Sequence, residues 1–181
     1  MKRELLHNRS RPKMTEGFCQ WENVFEGGCT FNFPPSMQDD TFFACPNGRL
    51  KLRAFSDQAG ELIFYQRLND TGPKESFYVR SPTTSPGTLR QTLTLAYGQA
   101  GRVRKQRTLF LAGRTRIHLD RVEGLGDFLE LEVVLAEDEP TEAGNAIADE
   151  LLARLGIAPG QLLATAYVDL LADRQEDHPS R

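Results

Sequence analysis

Charged and apolar residues alternate along the chain from residue 48 onward. In the segment 49–54, the cationic residues Arg49, Lys51 and Arg53 hold the odd positions and apolar residues hold the even ones. Successive side chains of a strand point to opposite faces. The segment therefore predicts a strand with one cationic face and one apolar face.

The segment 128–136 shows the same alternation with the opposite charge. Glu130 and Glu132 alternate there with leucine and valine. On a strand, these two carboxylates lie side by side on one face. An isolated pair of this kind is usually solvated, so its meaning depends on what the same sheet carries elsewhere.

The same patterns predict the other elements. Further strands are expected at 61–67, near 76–79, at 101–112 and at 115–120, and helices at 88–98, about 142–155 and 161–173. The predicted fold class is α+β, a mainly antiparallel sheet with helices packed outside. A sheet with so many charges on one face must expose that face to water or close into a barrel with a polar interior.

Residues 1–37 keep neither a helical nor a strand period for long, and they include Gly27-Gly28 and Pro34-Pro35. We expect an irregular or poorly ordered N-terminal segment over 1–37. A single domain is predicted over 38–173, followed by a polar tail at 174–181.

Length and composition agree with this division. The chain has 181 residues, of which 39% are hydrophobic and 26% charged, which suits one domain with a real core and excludes a disordered chain. No apolar run is long enough to span a membrane. Cys19, Cys29 and Cys45 lack a C-x-x-C spacing, which favours reduced thiols and a cytoplasmic location.

The net charge of −3 is unevenly distributed. Residues 45–121 carry fourteen Lys/Arg and five Asp/Glu, a net charge of +9, whereas residues 122–181 carry three and fourteen, a net charge of −11. A basic segment alone would suggest a polyanionic partner. A basic segment followed by an acidic one also suggests a site that joins phosphate to a divalent metal.

Several predicted strands carry cations at alternate positions, which describes a surface able to bind more than one phosphate group. The candidates are Arg49, Lys51, Arg53, Arg67, Lys74, Lys105, Arg107 and Arg116. Glu130 and Glu132, with Asp120 as a third contributor, would hold Mg²⁺ or Mn²⁺. His118 is either a catalytic base or, as we favour, a structural imidazole.

Five blocks in this order resemble the CYTH domain, the family of class IV adenylate cyclases and thiamine triphosphatases. They are GRLKLR (48–53), LIFYQR (62–67), VRKQR (103–107), RIHLDRVEGLGDFLELEV (116–133) and YVDLL (167–171). The resemblance runs from about Gln38 to Leu171 and is greatest to the adenylate-cyclase-like branch.

The resemblance implies an antiparallel eight-stranded tunnel that binds a triphosphate. By position, Lys51, Arg53, Arg67, Lys74, Lys105, Arg107 and Arg116 would contact phosphate, whereas Asp120, Glu130 and Glu132 would hold or orient Mg²⁺ or Mn²⁺. The catalytic side chains are expected to be Lys105, Arg107 and Asp120.

The chain departs from the family pattern at its start. The family carries E-x-E-x-K on its first strand, and residues 1–37 contain no such motif. We therefore expect a first strand that is missing or altered, through an altered start of the coding sequence. An intact relative should then fold more stably and bind metal more tightly.

Three kinds of function follow from these observations. The first is an adenylate cyclase that converts ATP to cyclic AMP and pyrophosphate. The second is a triphosphatase acting on thiamine, nucleoside or inorganic triphosphate, and the third is a triphosphate or polyphosphate binder without catalysis. A small-molecule triphosphate is the expected partner, with a homodimer left open and no role for a membrane. The acidic C-terminal third argues against nucleic acid.

Overall fold

The structure is a computed structural model that describes residues 4–10, 31–67, 76–136, 139–163 and 165–177. Within these ranges the chain forms nine strands. They are β1 (Glu4–Ser10), β2 (Phe31–Phe43), β3 (Arg49–Ser56), β4 (Ala59–Arg67), β5 (Ser76–Thr83), β6 (Gln99–Ala112), β7 (Thr115–Val122), β8 (Gly126–Val134) and β9 (Leu162–Leu163).

Three α-helices complete the described chain, namely α1 (Pro86–Tyr97), α2 (Thr141–Arg154) and α3 (Tyr167–Asp177). The first two confirm predicted helices. The third begins at Tyr167 and not at residue 161, because Leu162–Leu163 pair with β1 instead. It also runs past residue 173, into the predicted tail. The described helices include none that is long and apolar enough to cross a membrane.

The strands form one sheet in the order β5-β4-β3-β2-β6-β7-β8-β1-β9. Each pairing is antiparallel, and one further residue pair, Glu4 with Ser76, joins β1 to β5. The predicted α+β class with a mainly antiparallel sheet is therefore confirmed. Among the described residues, this single pair is all that joins β5 to β1, so the sheet is not a fully hydrogen-bonded barrel.

Two strands lie in the segment that was predicted to be irregular. β1 pairs with β8 from Glu4↔Val134 to Ser10↔Leu129, so a strand is present in this segment and the expectation that it is missing is wrong. β2 begins at Phe31, and its pairing with β6 shifts register between Phe33 and Ser36, where Pro34-Pro35 interrupt the hydrogen bonding. Residues 11–30 lie outside the described residues, so the prediction for them stays a prediction.

Apolar side chains on the outer face of the sheet pack against the helices. Leu52, which is fully buried, packs with Phe43 and Leu93 beneath α1. Leu129 and Leu131 on β8 pack with Leu152 of α2. The alternation predicted for β3 and β8 is thereby confirmed, because their apolar positions face the core. Their charged positions point to the opposite face.

Candidate functional site

The inner face of the sheet lines a cavity of about 530 Å³. Six cationic side chains and four carboxylates are among the residues around it, so the described lining has an excess of positive charge. The cations are Lys51, Arg53, Arg80, Lys105, Arg107 and Arg116, and the carboxylates are Asp40, Glu61, Glu130 and Glu132.

Asp40 on β2 binds two of these cations from β3. Its carboxylate accepts a hydrogen bond from Lys51 Nζ at 2.9 Å and two from Arg53, from Nε at 2.7 Å and Nη2 at 2.8 Å. The register explains the contact, because Asp40 and Arg53 are direct cross-strand partners. Lys51 lies two residues away on the same face.

Asp120 on β7 repeats this arrangement with the cations of β6. It accepts a hydrogen bond from Lys105 Nζ at 2.9 Å and two from Arg107, each at 2.6 Å. Arg107 and Asp120 are again cross-strand partners. Because β2 is paired with both β3 and β6, the two Lys-x-Arg segments flank it from either side.

These groups are almost entirely removed from water. Asp120 is fully buried, and Asp40 is 3% exposed. Burial alone would raise the pKa of Asp40, but Lys51 and Arg53 hold it well below its usual range. Burial and the neighbouring Arg107 in turn lower the pKa of Lys105 to about 8. Burial and Arg53 lower the pKa of Lys51 to about 7.

The two glutamates of β8 also pair with arginines. Glu130 accepts a hydrogen bond from Arg107 Nη2 at 2.7 Å, and Glu132 accepts one from Arg116 Nη1 at 2.7 Å. His118 lies between them, with Nδ1 3.9 Å from Glu130 and Nε2 3.8 Å from Glu132. Burial lowers the pKa of His118 to about 4, so the imidazole is neutral at pH 7.

Helix α3 covers one end of the cavity. Tyr167, at its start, packs against Phe128 and Val103. Its hydroxyl donates a hydrogen bond to Asp120 Oδ2 at 3.0 Å, and the Lys105 ammonium lies 5.2 Å from its ring centroid. The helix therefore holds the buried carboxylate from a third direction.

The structure brings most of the predicted site residues together. Seven of them line the cavity, namely Lys51, Arg53, Lys105, Arg107, Arg116, Glu130 and Glu132. Asp120 lies behind the lining, in contact with Lys105 and Arg107. Arg49 is placed elsewhere, in an ion pair with Asp169 at 2.8 Å. Lys74 and the side chain of Arg67 lie outside the described residues.

Sequence reasoning gave no role to several residues that complete the cavity. Asp40 lies in a segment without a regular period, and its partners become apparent only from the register of β2 with β3. Tyr167 belongs to the block YVDLL (167–171), and the sequence predicted no contact for its ring. Glu61 accepts a hydrogen bond from Arg80 Nε at 2.7 Å. Its position beside Lys51 and Arg53 could have been inferred from the hairpin.

A divalent ion requires several oxygen ligands around it. In the described part of the chain, no three His, Cys, Asp or Glu side chains form a group that could hold a metal ion by themselves. Mg²⁺, however, commonly takes one or two protein carboxylates and completes its shell with substrate phosphates and water. Glu130 and Glu132 are carboxylates of the kind that such an ion takes, and in this structure each is hydrogen-bonded to an arginine.

Comparisons with known proteins agree with this architecture. A family model of the CYTH domain matches residues 31–167. Adenylate cyclase CyaB of Aeromonas hydrophila is 30% identical over 74 residues, which are 41% of this chain. The match spans about two fifths (39%) of that relative's length.

Solved structures share the fold at low sequence identity. The PH1012 protein of Pyrococcus horikoshii OT3 aligns with a TM-score of 0.78 at 23% identity, over 94% of this chain and 99% of that one. A Vibrio parahaemolyticus protein, provisionally named an adenylate cyclase, aligns with a TM-score of 0.71 at 16% identity, over 95% and 99%.

Proposed function

Because the chain belongs to the CYTH domain family, we propose that its cavity binds a triphosphate together with a divalent metal ion. We further propose that it processes this substrate as an adenylate cyclase does, converting ATP to cyclic AMP and pyrophosphate. The ribose 3′-oxygen would attack the α-phosphorus, and pyrophosphate would leave.

One observation carries this proposal. Two Lys-x-Arg segments, Lys51 to Arg53 and Lys105 to Arg107, place two cations on each side of β2. Glu130 contacts Arg107. Arginine offers a fork of donors that matches phosphate oxygens, and lysine offers a compact charge. Arg116 would add a further donor. The arrangement suits a linear polyanion better than a single phosphate group.

Glu130 and Glu132 would hold Mg²⁺ or Mn²⁺. When bound, the ion supplies positive charge that neutralises the charge developing on the phosphate oxygens. The arginines that now pair with these glutamates would then be available to the phosphates. We assign Asp120 a positioning role, because it lies behind Lys105 and Arg107 and fixes both cations toward the cavity.

A non-catalytic binder is the second candidate, and one observation favours it. The sequence contains no E-x-E-x-K before residue 38, so the motif that the family carries on its first strand is absent from this segment. A triphosphatase shares the cationic cavity and the metal with the cyclase. The products formed from ATP therefore separate the three functions.

The test is incubation of the protein with ATP and Mn²⁺, followed by separation of the nucleotides. We expect cyclic AMP and pyrophosphate, and a loss of about 100-fold or more in kcat for Glu130→Gln. Glu123→Gln is the matched control, since Glu123 is an exposed partner of Arg104 on the surface. ADP and phosphate as products would indicate the triphosphatase. Binding of ATP without turnover would indicate the binder.

A further inference from the structure

The cavity has one covered end and one open end. At the covered end, α3 places Tyr167 and Val168 against the lining. At the other end, the lining includes Phe55, which follows Arg53 by two residues on β3. Phe55 is 42% exposed. An exposed aromatic ring at the entrance of a charged cavity has a face available for a ligand.

A second cavity of about 440 Å³ begins at the same residue. It lies on the outer side of β2 and β3 beneath α1, and its lining includes Met37, Ala54, Pro86 and Arg104. Phe55 lines both cavities. Met37 is 62% exposed, and the same lining also includes the charged residues Asp39, Asp57 and Arg90. The first cavity therefore adjoins a groove of mixed polarity, with the Phe55 ring at the junction.

The spacing along β3 fits a ligand with a charged part and a flat part. Residues two apart on a regular strand are about 7 Å apart. Phe55 follows Arg53 by two residues, where the register of β3 with β4 shifts between Ala54 and Ser56. A triphosphate held by the Lys-x-Arg segments would extend its organic group through the open end, because α3 covers the other one. That group would meet Phe55 within a few ångströms of the last phosphate contact.

The other aromatic residues around the cavity are less suited to this task. The Lys51 ammonium lies 5.6 Å from the ring centroid of Phe42 and 5.7 Å from that of Tyr65. The Lys105 ammonium likewise lies 5.2 Å from the ring centroid of Tyr167. These rings stand toward the covered end. Tyr78 is the cross-strand partner of Tyr65 and lies at the same level of the sheet.

We propose that Phe55 is a stacking platform for the base of a nucleoside triphosphate, with the adjoining groove receiving the edge of the base. This inference rests on the proposed function, since it takes the triphosphate site as given. A nucleobase stacks on an aromatic side chain through its π-face, and such stacking tolerates different bases. The site would therefore prefer nucleoside triphosphates to inorganic tripolyphosphate without selecting strongly among bases.

The test compares two ligands by isothermal titration calorimetry in the presence of Mn²⁺, with ATP supplied as its α,β-methylene analogue, which the proposed reaction cannot cleave. ATP should bind the wild type more tightly than tripolyphosphate does. Phe55→Ala should weaken ATP binding about 10-fold or more and leave tripolyphosphate binding unchanged. Phe55→Trp should retain ATP binding. Leu95→Ala is the matched control, because Leu95 is an 81% exposed residue of α1 outside both linings.

The outcomes separate the two proposals. If the wild type binds neither ligand, the triphosphate site itself is wrong, and the stacking platform is wrong with it. If tripolyphosphate binds and Phe55→Ala leaves the ratio of the two affinities unchanged, the triphosphate site stands and the stacking platform is overturned. A thermal denaturation curve for Phe55→Ala that matches the wild type shows that the comparison concerns binding.

Discussion

Two buried aspartates, Asp40 and Asp120, each bind a lysine and an arginine of the cavity. Asp40 does this for β3, and Asp120 does it for β6, with hydrogen bonds of 2.6 to 2.9 Å. Removing one partner of such a buried arrangement is costly, because it leaves an uncompensated charge in a medium of low polarity. The carboxylates thus preorganise cations whose charge would otherwise repel their neighbours.

His118 leads to a prediction about stability and pH. Burial lowers its pKa to about 4, whereas an exposed histidine titrates near 6.5. Between these values the unfolded chain binds a proton that the folded chain does not bind. The free energy of unfolding therefore falls as the pH drops from 6.5 toward 4, by roughly 3 kcal/mol at most from this residue.

Replacing His118 by Gln should remove this contribution. Urea unfolding of the wild type and of His118→Gln at pH 7, 6, 5 and 4.5 measures this contribution. When the free energy of unfolding is plotted against pH, the variant should show the shallower slope. Above pH 6.5 the imidazole is neutral in both states, so the two slopes should then agree. Equal slopes between pH 6.5 and 4.5 would contradict a buried neutral histidine.

Alternation along single strands explains why much of the site could be predicted. It places Lys51 and Arg53 on one face, and Glu130 and Glu132 on one face, without knowledge of the tertiary structure. It cannot say which residue of a neighbouring strand lies opposite. Asp40 and the Tyr167 hydroxyl were missed for this reason. Arg49, which was also predicted, forms an ion pair with Asp169 outside the cavity lining.

At the level of elements, the strands that were predicted are those with clear alternation. β1, β2 and β9 were missed, because each depends on tertiary pairing. β2 contains Pro34-Pro35 and a register shift, and β9 has only two residues. Its sequence, Leu162–Leu163, was assigned to the following helix because two leucines fit either structure. Local patterns therefore predicted the regular strands better than the irregular ones.

The position of helix α3 depends on a close contact between Val168 and Gly101 of β6. A Cβ atom added at Gly101 would lie 2.4 Å from Val168 Cγ2, which no packing tolerates without movement. We expect Gly101→Ala to displace the helix and to destabilise the fold by about 1 to 3 kcal/mol. Urea unfolding measures the change.

A second substitution tests the cause. Val168→Ala removes the opposing methyl group, so the double variant should lose less stability than the sum of the two single variants. Gly87→Ala is the control, since nothing lies within 4 Å of a Cβ atom at Gly87 in the first turn of α1. Strict additivity of Gly101→Ala and Val168→Ala would show that the contact does not limit the position of α3.

For the whole molecule, the fold explains the uneven charge of the sequence. The basic stretch 45–121 supplies the cations of β3, β5, β6 and β7, and the acidic stretch 122–181 supplies Glu130 and Glu132 on β8. The antiparallel order places these strands around one cavity. The positive side chains of 45–121 and the carboxylates of 122–181 therefore lie close enough there for their charges to offset each other. The small net charge is thus the balance of two segments that meet in one site.

The central claim is that the cations of the inner face, and not the positive charge of the surface, bind a triphosphate. Two arginines of the chain allow a matched comparison. Arg53 makes a two-point contact with Asp40 inside the cavity, and Arg102 makes one with Asp39 outside its lining, through Nε at 2.7 Å and Nη2 at 2.6 Å.

The decisive measurement is calorimetric titration of tripolyphosphate into the wild type, Arg53→Gln and Arg102→Gln, with and without Mn²⁺. Charge-assisted hydrogen bonds to phosphate are among the stronger polar contacts, each contributing about 1.5 to 3 kcal/mol. We predict that Arg53→Gln weakens binding at least 10-fold and that Arg102→Gln binds as the wild type does. Equal losses in the two variants, or no binding by the wild type, would contradict the account.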